Sequence, residues 1–187
     1  MIIIEEAISF AVKAHYGKSR KGKTRPYILH PVEAMNIVAS MTEDEEVIAA
    51  AVLHDTVEDT NITIDEIKAR FGEKVAKLVA SESENKREGQ PPKDTWRIRK
   101  EEAIDHLKIA SREAKMVCLG DKLSNLRELS RDYAKIGDSI WVRFNQKDPE
   151  QHAWYYGSLF EIISKEFPNT PATKEYHDLF QKVFGKP

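Results

Sequence analysis

Apolar residues recur at three- and four-residue intervals along most of the chain, the period of an amphipathic helix. Ile4, Ala7, Ile8, Ala11 and Val12 predict a first helix ending near His15. Pro31 suits the first turn of a second, with Val32, Met35, Ile37 and Val38 inward and His30 just before its start. A third runs from about Asp44 to Val57 on Val47, Ile48, Ala51 and Val52. Thr63-Ile64-Asp65-Glu66 is a capping box that opens a fourth helix, stopping near Gly72, and Glu73 to Ser81 reads as a short fifth. Helical spacing returns at about Thr95 to Ala110, Glu113 to Arg131, Pro149 to Glu166 and Ala172 to Phe184. Between them, Gly17 to Arg25 is a basic exposed loop, and Ser83 to Asp94, with Gly89, Pro91 and Pro92, is a flexible one. Tyr27-Ile28-Leu29 is too short for a strand. The pattern predicts an all-α chain folded as one compact helical domain over residues 1–187.

Composition narrows the classes. The 187 residues suit one domain, and an apolar share of 41% can build its core. Basic and acidic residues nearly balance, 29 against 31, so no global charge draws nucleic acid or an anionic membrane. A phosphate-binding surface must then be local. The lone Cys118, in Met116-Val117-Cys118-Leu119, reads as a buried thiol in a reducing compartment. Met1-Ile2-Ile3-Ile4-Glu5-Glu6 lacks the basic start of a signal peptide, and no apolar run nears the roughly 20 residues of a membrane span, so a cytoplasmic protein is expected.

The densest chemistry is His54-Asp55-Thr56-Val57-Glu58-Asp59. On a helix, three- and four-residue spacings would bring all four ionisable side chains to one edge. Three acids beside a histidine repel unless a cation offsets them, although a solvated acidic helix end accounts for the same letters. The preceding run, Ile48 to Leu53, must be buried, so His54 and Asp55 emerge from the core. His30, between an apolar stretch and a proline, and Asp121, ending the Met116–Leu119 run, complete a set of two imidazoles and two carboxylates. Such a set suits manganese, iron or zinc.

Arg20-Lys21, Pro26-Tyr27-Ile28-Leu29-His30-Pro31, His54 to Thr60 and Leu119-Gly120-Asp121-Lys122-Leu123-Ser124-Asn125-Leu126-Arg127 follow one another in the order of a family's motifs. Up to about Arg131 the chain resembles the hydrolase domain of SpoT/RelA-type alarmone enzymes, above all the stand-alone small alarmone hydrolases. The resemblance implies an HD-type helical fold, manganese as the metal, and removal of the 3′-pyrophosphate from guanosine tetra- or pentaphosphate (ppGpp, pppGpp), a reaction of the stringent response. By position it implies His30, His54, Asp55 and Asp121 as metal ligands, and Glu58 and Asp59 as the pair that activates water. Arg20, Lys21 and Asn125 would contact substrate. It implies no synthesis, which needs a further domain. Lys18, Gly120 and Lys122 stand where the family commonly has glutamine, alanine and arginine.

Two other readings compete: an HD phosphohydrolase for another nucleotide, including the 2′-phosphate of a nicotinamide cofactor, and a nucleotide sensor without turnover. The Glu58-Asp59 pair argues against the sensor. The expected partner is a nucleotide, not nucleic acid or membrane, and the oligomeric state stays open, a homo-oligomer included. Lys18, Lys23 and Arg25 read singly as solvated. His15 is expected to cap or pack, and His106, His152 and His177 to lie at the surface or at helix ends. Trp96, Trp141 and Trp154 read as core anchors, with Trp141-Val142-Arg143-Phe144-Asn145 the alternative lip of a nucleotide pocket.

Overall fold

The computed structural model describes residues 3–20, 22–87 and 89–185. Among them no strand forms; one isolated antiparallel bridge joins Ser19 and Pro26. The helices are α1 (Ile3–Ala14), α2 (Leu29–Ala39), α3 (Glu45–Leu53), α4 (Thr56–Asp59), α5 (Ile64–Glu82), α6 (Pro92–Ile109), α7 (Arg112–Ile136), α8 (Pro149–Glu166) and α9 (Pro171–Phe184). A 3-10 helix, Gly137–Arg143, follows α7. They group into two compact units, residues 1–83 with 111–124, and residues 84–110 with 125–187. No described helix is long and apolar enough to cross a membrane.

In the first unit α3 is the central element. Every residue from Val47 to Leu53 is buried, and α1, α2 and α5 pack around it. A helix apolar on all sides must sit inside. Asp44 starts it by accepting from the Glu46 and Val47 amides at 3.1 and 3.4 Å. The predicted continuation to Val57 does not occur. The His54 ring bonds the Ala51 carbonyl through Nδ1 at 2.8 Å, and the Thr56 hydroxyl donates to the Leu53 carbonyl at 2.6 Å. These side chains compete for carbonyls the helix would use, so the chain turns at 54–55 and restarts as α4.

The capping box at α5 forms as read, with Thr63 and Glu66 exchanging bonds at 2.7 and 3.2 Å. Gly72, at φ +91°, divides α5 where the sequence predicts a stop. α2 begins two residues earlier than expected and takes His30 into its first turn. Gly120 on α7 meets α2 closely: a Cβ there would lie 2.8 Å from both the Ala34 carbonyl oxygen and Val38 Cγ2. The glycine therefore sets how near Asp121 comes to His30.

The second unit is built on α6, α8, α9 and the later part of α7. The loop expected to be flexible is shorter, since α6 begins at Pro92, and its start is tied down. Glu84 accepts from Arg99 and Lys100 at 2.7 and 2.5 Å, and Arg87 pairs with Glu102. Trp141 is buried, stacked 5.0 Å from the His152 ring and 5.7 Å from Phe184. It is a core anchor. His152, expected near the surface, is buried in the same cluster, where Trp96 and Phe144 also flank it. His106 and His177 are exposed as expected.

Candidate metal centre

The break after α3 delivers His54 to a buried site. Its ring is 1% exposed, and the Ala51 carbonyl accepts from Nδ1, which turns Nε2 toward the carboxylates. That Nε2 lies 3.1 Å from Asp55 Oδ2 and 3.6 Å from Asp121 Oδ1, yet it is buried with no hydrogen-bond partner. From the first turn of α2, His30 Nε2 approaches the same oxygens, 3.5 Å from Asp55 Oδ2 and 3.1 Å from Asp121 Oδ1. His30, His54 and Asp121 each offer one ligand atom within 4.8 Å of the others. An orphaned buried imidazole nitrogen between two carboxylates, with a second imidazole beside it, fits a divalent cation.

The electrostatics say the same. Burial alone would lower the His54 pKa, but Asp55 and Asp121 raise it well above the usual histidine value. Burial would raise both carboxylates; His54 and His30 instead hold Asp55 far below its usual range, and Lys122 with the two imidazoles does so for Asp121. The two buried carboxylates thus draw positive charge toward the site, a task a cation can take over.

Around these four stand residues whose contribution no single sequence motif revealed. The half-buried Tyr27 phenol donates to Asp55 Oδ2 at 2.6 Å, and its pKa is pushed up by desolvation and by Asp55 and Asp59. The His15 ring lies tilted against it, 4.9 Å away; it packs as expected, but both its nitrogens are buried without hydrogen bonds. Burial lowers its pKa, against the pull of Asp55 and Asp59. Burial lifts the Glu82 carboxyl to about 7, with Lys122 and His54 opposing and Asp121 and Asp55 assisting. Glu82 is the last residue of α5, and its sequence surroundings gave no sign of it. Lys18, read as solvated, bonds the Asp59 backbone carbonyl.

Glu58 and Asp59 lie half-buried on α4, beside the ligand-bearing turn. Arg20 is half-buried, with its guanidinium 5.3 Å from the Tyr27 ring centroid. Lys21 is outside the described residues. Asn125 is half-buried on α7, the first residue of that helix to fall in the second unit.

Residues 7–149 match the profile of the HD domain. The chain belongs to the HD domain family. Among curated proteins it is 39% identical to the guanosine-3′,5′-bis(diphosphate) 3′-pyrophosphohydrolase MESH1 of Danio rerio, over 69% of this chain and 70% of that one. The MESH1 of Homo sapiens is 42% identical, over 67% and 69% of the two chains. A solved structure described as a metazoan orthologue of SpoT that hydrolyses ppGpp covers 100% of this chain and 98% of its own, with a TM-score of 0.79 and 25% identity. The HD-type all-α fold read from the motifs is therefore the fold observed.

Proposed function

We propose that this HD-family chain is a metal-dependent hydrolase that removes the 3′-pyrophosphate from guanosine 3′,5′-bis(diphosphate) and its pentaphosphate. The observation that carries the reading is the orphaned His54 Nε2, buried between Asp55 and Asp121 in a chain 39–42% identical to curated pyrophosphohydrolases of that specificity. His30, His54, Asp55 and Asp121 are the proposed ligands of one divalent ion, with manganese the first choice. Such an ion supplies Lewis acidity and a lowered pKa for a nearby water.

The remaining steps belong to the chain. Glu58 and Asp59 accept and pass on the proton of the attacking water, since a carboxylate within reach serves as general base. The water oxygen bonds to the phosphorus attached to the ribose 3′ oxygen. That oxygen leaves and takes up a proton, so the products are pyrophosphate and the nucleoside 5′-diphosphate, or the 5′-triphosphate from the pentaphosphate. Arg20 and Lys21, with Asn125, are the proposed substrate contacts: arginine grips phosphate through a planar fork and lysine as a point charge. Burial of the reacting centre strengthens each of these interactions.

The test is a panel of guanosine polyphosphates, other nucleotides and a nicotinamide cofactor 2′-phosphate, offered to chelator-stripped protein to which manganese, zinc, iron or magnesium is returned. Pyrophosphate release from the tetraphosphate with manganese, absent without metal, is expected. His54→Ala and Asp55→Ala should carry no metal by elemental analysis. Phosphate release from the cofactor in its place would overturn the substrate assignment.

A further inference from the structure

The two imidazoles of the site are held in different ways. His54 leans on a main-chain carbonyl, whose bond no side-chain change removes. His30 leans on side chains. Its Nδ1 lies 2.9 Å from the Ser124 hydroxyl oxygen, and that hydroxyl lies 2.7 Å from Glu33 Oε2. Ser124 is 1% exposed and His30 5%, so bulk water does not compete for the bond between them, while Glu33 is half-buried.

Proton counting fixes the directions. A serine hydroxyl has one proton, and an ionised carboxylate can only accept. The Ser124 proton therefore goes to Glu33, and the serine oxygen is left to accept. A bare Nδ1 facing it would set two lone pairs against each other, so Nδ1 carries the hydrogen. In a neutral imidazole Nε2 is then bare, and Nε2 is the atom facing Asp55 and Asp121. We propose that Glu33 and Ser124 form a positioning relay that locks His30 in its Nδ1–H tautomer and aims a bare, more basic Nε2 at the metal. This rests on the metal reading above.

The sequence makes the relay from two facing helices. Glu33 stands three residues after His30 on α2, and Ser124 three after Asp121 on α7. At that spacing ligand and supporting residue share one helix face. Each helix thus supplies one ligand and one support, and the bonds cross from α7 to α2 just where Gly120 brings the two together. Partners of this kind orient a ligating histidine and raise its basicity, and losing one typically costs about 10–100-fold in metal affinity.

The experiment measures manganese affinity of the full chain by competition with a fluorescent chelator, alongside thermal unfolding of the metal-free protein. Ser124→Ala and Glu33→Ala should each bind about 10–100-fold more weakly. Ser124→Ala placed on Glu33→Ala should add little, because the second change breaks a relay already broken. Ser124→Thr, which keeps the hydroxyl, should recover most of the affinity. If Ser124→Ala does not fold, Glu33→Ala, at a half-buried position, carries the test alone. Wild-type affinity in the folded variants, or fully additive losses, overturns the relay. Failure of the wild-type protein to bind manganese, zinc or iron overturns the metal reading instead.

Discussion

The Tyr27 hydroxyl donates to Asp55 Oδ2 at 2.6 Å while its ring lies 4.9 Å from buried His15 and 6.1 Å from His30. One side chain therefore both fixes a carboxylate of the proposed metal site and fills the space behind an imidazole. Tyr27→Phe separates the two roles, since it keeps the ring and removes the donor. Manganese affinity should fall about tenfold, at the lower end for a supporting hydrogen bond, with the ring contacts retained. Chelator competition checks this; unchanged affinity would show that Asp55 needs no such anchor.

Glu58→Gln and Asp59→Asn keep shape and remove a proton acceptor. Both should retain metal, and the variant that has lost the general base should turn over about 10²–10⁴-fold more slowly. Metal content and kcat are measured on the same preparations. Wild-type kcat in both would contradict the roles proposed for the pair.

Gly120→Ala sets two expectations against each other. Helix propensity alone favours alanine by about 1 kcal/mol. The added Cβ would meet the Ala34 carbonyl oxygen and Val38 Cγ2 at 2.8 Å each, and overpacking of this kind costs about 1–3 kcal/mol. Because a backbone oxygen cannot turn aside, the clash should win and Tm should fall by roughly 2–8 °C. A higher Tm would mean that α2 and α7 separate without penalty.

His152 supplies a pH dependence remote from the metal ligands. Burial lowers its pKa from the ordinary 6.5, the Gln146 carbonyl at 2.9 Å opposes that shift, Lys100 adds to it, and Asp148 opposes it. The rings of Trp96, Trp141 and Phe144 complete its surroundings. The unfolded chain therefore takes up a proton at higher pH than the folded one. Stability tied to His152 is complete above about pH 6.5 and is lost as pH falls toward the folded pKa. Between pH 7.5 and 5.5, His152→Gln should lose less unfolding free energy than the wild type. Equal losses would mean that His152 titrates alike in both states.

Most helices were legible because each carries a strong apolar period and a cap: Thr63 with Glu66, Pro149 and Pro171 at first turns, Gly72 at a break. The turn at His54–Asp55 was not, because it depends on the His54 ring and the Thr56 hydroxyl taking carbonyls, which periodicity cannot record. That His30, His54, Asp55 and Asp121 come together was legible because the buried apolar run leads into His54 and Asp55, and the order of the motifs adds His30 and Asp121. Ser124 and Glu33 were not legible. Serine and glutamate at helical spacing look like surface residues until α2 and α7 are seen to meet. His152 was misread for a similar reason: its burial comes from aromatic residues distant in sequence.

The central claim is hydrolysis at the phosphorus bound to the ribose 3′ oxygen. The manganese-loaded protein should be incubated with guanosine 3′,5′-bis(diphosphate) in ¹⁸O-labelled water and the products weighed by mass spectrometry. The account predicts unlabelled guanosine 5′-diphosphate and pyrophosphate in equal amounts, with one ¹⁸O atom in the pyrophosphate. Release of orthophosphate alone, or label in the nucleoside, would contradict it.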